Sequence, residues 1–167
     1  MVSYLAIAEF FHVLFAAMWV GTSVYGEAVA FRIWRRARTV GEMRSWLAIL
    51  RPTGIFQTVN GILVVITGFI YMFLLWGTDF AAIWATPDGM LVLISLGLVL
   101  LALAIGFAII TRTSIRLGRS PMPEDPAASI PAESLALAEK TRRGLTTNTV
   151  IIVIVLFLMV VAAYGGF

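Results

Sequence analysis

Polar and apolar positions along this chain are segregated into long blocks. Four apolar blocks stand out, approximately Tyr4 to Phe31, Gly54 to Trp76, Gly89 to Thr111 and Thr147 to Tyr164. A helix that crosses a bilayer needs about 20 mostly apolar residues, and each block comes close to or exceeds that length. The strands of a membrane barrel would instead alternate with a period of two. The pattern predicts an all-α integral membrane protein, a four-transmembrane-helix bundle that forms a single domain over residues 1–167. The first block reads as retained: no basic flank precedes it, and it is too long for a leader.

The segments between the blocks set the orientation. Residues 32–51, RIWRRARTVGEMRSWLAILR, carry Arg32, Arg35, Arg36, Arg38, Arg44 and Arg51 against the single acid Glu42. Residues 112–146 carry Arg112, Arg116, Arg119, Lys140, Arg142 and Arg143, whereas GTDFAAIWATPDG holds Asp79 and Asp88 and no cation. Positive-inside logic makes both basic segments cytoplasmic and places the acidic loop, the N-terminus and the C-terminus outside. Trp76 and Trp84 on one side, with Trp34 and Trp46 on the other, suit interfacial aromatic belts. Within the first basic segment, Gly41 to Leu50 predicts a short helix that Pro52 ends or kinks. SPMPEDPAASIP, Ser120 to Pro131, has four prolines and reads as flexible. PAESLALAEKTRRG starts a new helix that can run into the fourth span, with Gly144 as a soft spot.

Composition strengthens this picture: 60% of residues are hydrophobic and 13% charged, with a mean hydropathy of +0.97. The cell membrane, inner or plasma, is the expected location, crossed several times. There is no cysteine, which excludes disulfides, thiolate metal sites and iron–sulfur clusters. A sequence pI near 9.8 arises from juxtamembrane cations, so the expected partner is the lipid bilayer rather than nucleic acid. No nucleophile with a base and no glycine-rich phosphate loop is visible, which argues against hydrolase, transferase and P-loop chemistry and for a protein that is not itself an enzyme.

Candidate chemistry lies in the polar residues inside the spans, where ionisable groups are costly and usually face a partner or a cavity. Glu9 and His12 share a helix face, and Ala16, Trp19 and Ser23 continue it. His12 is the single histidine. At 1.5 Å of rise per residue it lies about 12 Å below the start of the span. One reading makes it a neutral structural imidazole bonded to Glu9 or to a neighbouring helix. The other makes it an axial ligand of heme b, or a copper ligand. One histidine excludes a bis-imidazole heme within a single chain, so Met72, Met90 and Met159, which lie toward the same side, are the first thioethers to consider, although methionine there usually packs. Glu27 near the inner end is expected to pair with an arginine of the first basic segment. Gln57, Asn60 and Asn148 are either interhelical glue, with Gly61 and Gly68 allowing close approach, or the lining of a polar cavity open toward the cytoplasm that holds a quinone head or a translocated solute.

HVLFAAMWVG resembles the opening helix of copper-resistance protein D (CopD)-type membrane domains and of a related uncharacterised family, with a distant likeness to the HemJ-type membrane protoporphyrinogen oxidase. The likeness continues through RPTGIFQTVNGILVVITG and through a basic patch with Asn148 opening the last helix. It implies a heme suggestion for His12; Glu9, Trp19, Met72 and Met159 are the expected neighbours of such a cofactor from their place along the helices. The oxidase-like relatives place a lysine in the third helix, where GMLVLISLGLVLLALAIGF has none, which argues against oxidase activity. The expected function is a small accessory subunit of a larger membrane complex, respiratory or otherwise electron-transferring, packed against other membrane subunits or its own copies. The alternative is a heme b-binding membrane protein through His12, and the remote one is copper or small-solute transport.

Overall fold

The computed structural model describes residues 3–164; residues 1, 2 and 165–167, with both chain ends, lie outside the described residues. Four helices are long and apolar enough to cross a membrane: α1 Tyr4–Trp34, α2 Val40–Trp76, α4 Pro87–Arg119 and α5 Ala132–Tyr164. A short helix, α3 Phe80–Ala85, sits between α2 and α4. Side-chain caps define the starts: Ser3 Oγ accepts from Ala6 N–H at 3.2 Å, and Thr86 Oγ1 accepts from Gly89 N–H with Pro87 in the first turn. Thr39 and Glu42 form a reciprocal capping box at the start of α2. Gly77, at a φ of 61°, ends that helix in a conformation that L side chains rarely adopt.

Two sequence expectations concern backbone continuity: a break or kink at Pro52, and a helix that runs on into the fourth span with Gly144 as a soft spot. Helix α2 runs through Pro52 without a break. Proline gives Ala48 no N–H partner, but the Thr53 hydroxyl donates to the Ile49 carbonyl at 2.9 Å, which is how threonine side chains make proline tolerable in membrane helices. Helix α5 likewise runs through Gly144, which is buried: a Cβ there would lie 3.1 Å from Ile109 and 3.2 Å from Ile110. That glycine marks a close helix approach, not a soft spot.

The proline-rich segment is also pinned, against the expectation of flexibility. The first N–H groups of a helix have no partner within it. Here Val40 N–H donates to the Ala128 carbonyl at 3.0 Å and Gly41 N–H to the Pro126 carbonyl at 2.9 Å. The Arg44 guanidinium donates to the Pro123 carbonyl at 2.9 Å. The segment is thus a strap across the start of α2.

Two apolar cores result. One, at the basic end, gathers Phe31, Trp34, Met43, Trp46, Leu117, Ile130, Ala138 and Leu145. Trp34 and Trp46 are buried in it with ring centroids 5.6 Å apart, so they are core residues and not belt residues, because the strap and α5 cover them. Trp84 is 65% exposed and fits a belt. The second core, Trp19, Val64, Val99, Ala102, Ile152 and Val155, lies within the spans.

Candidate functional site

Helices α1 and α2 pack antiparallel in a register that three contacts share. The His12 imidazole lies against Gly68, where a Cβ would meet Cε1 at 3.0 Å. Trp19 lies against Gly61, where a Cβ would meet the indole at 3.1 Å. The Gln57 amide donates to Ser23 Oγ at 2.7 Å. Moving toward the basic end by equal steps on both helices converts each pair into the next, so the two glycines are sockets for the two rings. Small residues at such positions let membrane helices approach closely.

His12 is half-buried and bound to α2. Its Nδ1 lies 3.2 Å from the Val64 carbonyl and 3.3 Å from Thr67 Oγ1, and its ring stacks on Tyr71 at 6.4 Å. A carbonyl only accepts, so Nδ1 carries the proton, and the Thr67 hydroxyl is occupied in donating to the Leu63 carbonyl at 2.6 Å. In the neutral ring the lone pair is then on Nε2, which makes no hydrogen bond among the described residues. Glu9 is exposed and is not a hydrogen-bond partner of His12. Met159 packs against the mid-membrane core and Met72 is half-buried one helical turn beyond Gly68. Neither is hydrogen-bonded to His12. Among the described residues no group of three or more His, Cys, Asp or Glu side chains could hold a metal ion.

A second polar locus lies nearer the basic end. Two π-helical turns, Gly26–Ala30 in α1 and Gly106–Thr111 in α4, face a cavity of about 1080 Å³ between α1, α2, α4 and α5. Such wide turns recur at functional sites because they insert a residue into the helical ladder. Ser23, Glu27, Gln57, Asn148, Trp46 and Arg51 line the cavity. Three buried atoms on it have no hydrogen-bond partner: Glu27 Oε1, Asn148 Oδ1 and Trp46 Nε1. Glu27 makes no ion pair with an arginine of the first basic segment among the described residues, and Arg142 of α5 is held by Glu139 at 2.7 Å. The π turn places Glu27 at the wall of the cavity, which Arg44 and Arg51 of that segment also line.

The structure therefore brings Gln57 and Asn148 to one cavity. Asn60 is buried elsewhere, its amide donating to the Phe56 carbonyl of the same helix at 2.8 Å, so it makes no bond across helices among the described residues. Sequence reasoning missed Glu27 and Trp46 as cavity residues. Gly26 and Gly106, each opening a π turn, are the only local signal that could have pointed there.

A family model described as copper resistance protein D matches residues 56–162, from the middle of α2 to the end of α5. The match includes Gln57, Asn60, Met72, Asn148 and Met159 and leaves out His12 and Glu27. No curated protein and no solved structure matches the chain. With four membrane-spanning helices, and with more than half of its length matched by that model, this chain belongs to the copper resistance protein D family.

Proposed function

We propose that the protein is a small accessory subunit of a larger membrane assembly linked to copper resistance, and that it contributes His12 as one ligand of a metal centre, heme b or copper, completed by a neighbouring subunit. One observation carries this reading: the Val64 carbonyl fixes the Nδ1 proton of His12 and leaves the Nε2 lone pair without a partner. Metal-bound histidines almost always donate their other N–H to a backbone carbonyl or carboxylate in this way. The family supports the copper link. One imidazole is one ligand, so the remainder is assigned to a second chain, with Met72 and Met159 as the thioethers to test within this one.

The experiment is extraction in a mild detergent, followed by visible spectra of oxidised and reduced protein, copper analysis and subunit stoichiometry. A b-type Soret band or bound copper, with a stoichiometric partner, is expected in the wild type and lost in His12→Gln, which keeps an N–H donor for Val64. A colourless, metal-free monomer would overturn the proposal and leave His12 as a clamp between α1 and α2.

A further inference from the structure

The cavity beneath the π turns is independent of His12 and has an opening of its own. Thr22, Pro52 and Thr53 line both the cavity and a shallower crevice of about 600 Å³ between α1 and α2, whose remaining walls are Gly21, Tyr25 and Phe56. Tyr25 and Phe56 are exposed on helices that span the membrane, so the crevice faces lipid. A ligand can reach the cavity sideways from the bilayer, with a hydrocarbon tail left in the crevice.

The unpartnered atoms specify the head of that ligand. Asn148 is 4% exposed and Trp46 3%, and a buried polar atom without a partner costs about 1–3 kcal/mol. Glu27 Oε1 and Asn148 Oδ1 call for two donors; Trp46 Nε1 calls for an acceptor. The remaining wall is mostly apolar, including Trp19, Leu103 and Phe107, which suits a ring. A phospholipid phosphate suits Arg44, Arg51 and Arg119, which also line the cavity, but it brings only acceptors, leaving Glu27 Oε1 and Asn148 Oδ1 unpaired and adding a like charge beside the carboxylate. An oxidised quinone also brings only acceptors. A dihydroxy ring brings two O–H donors and lone pairs for the indole. We propose that this cavity binds a membrane-borne quinol, its ring hydroxyls on Glu27 and Asn148 and its tail leaving between α1 and α2. The proposal is one of binding, with no electron transfer assigned.

The test is calorimetric titration of the purified full chain in detergent micelles with a decyl-substituted benzoquinol kept reduced, with the matching quinone, and with a short-chain phosphatidylcholine, whose head has no O–H donor. Saturable quinol binding is expected, with the quinone and the phospholipid weaker by about tenfold or more, the equivalent of one lost hydrogen bond. Asn148→Leu should weaken the quinol by a similar factor. Gly21→Phe should block it without lowering the melting temperature, since nothing lies within 4 Å of a Cβ at Gly21 and a helix-interior glycine is itself unfavourable. No saturable quinol binding, equal affinity for the two redox forms, tighter binding of the phospholipid, or full affinity in Gly21→Phe would each overturn the proposal.

Discussion

Gly68→Ala tests whether the sockets of α2 position the histidine. A Cβ added at Gly68 would lie 3.0 Å from His12 Cε1 and 3.3 Å from Nδ1, so the ring or the helix must shift by a few tenths of an ångström. The ring cannot move freely, because its Nδ1 is held at 3.2 Å from the Val64 carbonyl. Overpacking of this kind costs about 1–3 kcal/mol, and loss of the hydrogen bond adds about 0.5–1.5 kcal/mol. Against this, alanine gains about 1 kcal/mol over glycine in a helix interior. Gly97 in α4 supplies the control, since nothing lies within 4 Å of a Cβ there and the same exchange carries the backbone gain alone. Gly68→Ala should therefore be less stable than Gly97→Ala by about 2 kcal/mol or more on the overpacking and hydrogen-bond terms. The assay is reversible unfolding in mixed micelles followed by circular dichroism, with His12→Ala and the double variant closing a thermodynamic cycle. Because the two residues touch, His12→Ala should remove most of the penalty of Gly68→Ala. The reasoning fails if Gly68→Ala is as stable as Gly97→Ala, or if the two changes add within about 0.5 kcal/mol, as independent sites do.

Other outcomes follow from the same geometry. Gly61→Ala, whose Cβ would approach Leu103 at 2.9 Å and the Trp19 ring at 3.1 Å, should destabilise the bundle by about 1–3 kcal/mol; a rise in melting temperature would refute the socket at Trp19. Hydrogen exchange should show the Val40 and Gly41 amides protected by the strap, and Arg44→Ala, which removes the bond to Pro123, should speed both; unchanged rates would mean that the strap does not depend on Arg44. Gln57→Leu should cost about 1 kcal/mol through the lost bond to Ser23, measured in the same micelle assay, and a neutral result would remove that bond from the register. For orientation, single cysteines at Asp79 and Glu124 should react with an impermeant reagent from opposite faces of the membrane, as the distribution of arginines requires; labelling from one face would reverse that reading.

Sequence and structure divide along a physical line. The four apolar blocks, their helical character and the segregation of cations to one end were legible because each is set locally, by run length and by the period of hydrophobic positions. The chemistry of His12 was legible as far as one alternative: the structural reading offered Glu9 or a neighbouring helix, and α2 holds the ring through Val64. What the chain alone left open depends on pairings between residues far apart. Gly61 and Gly68 receive rings from α1 only because the two helices share one antiparallel register. Trp34 and Trp46 look like belt residues until the strap and α5 cover them. The strap itself is held by α2 amides that no local rule assigns to it. The cavity is the clearest case: Glu27, Trp46, Gln57 and Asn148 come from three helices to one space, and of these only Glu27 sits in a π turn. Burial in lipid explains four helices; only their packing decides which polar atoms meet and which stay unpartnered among the described residues.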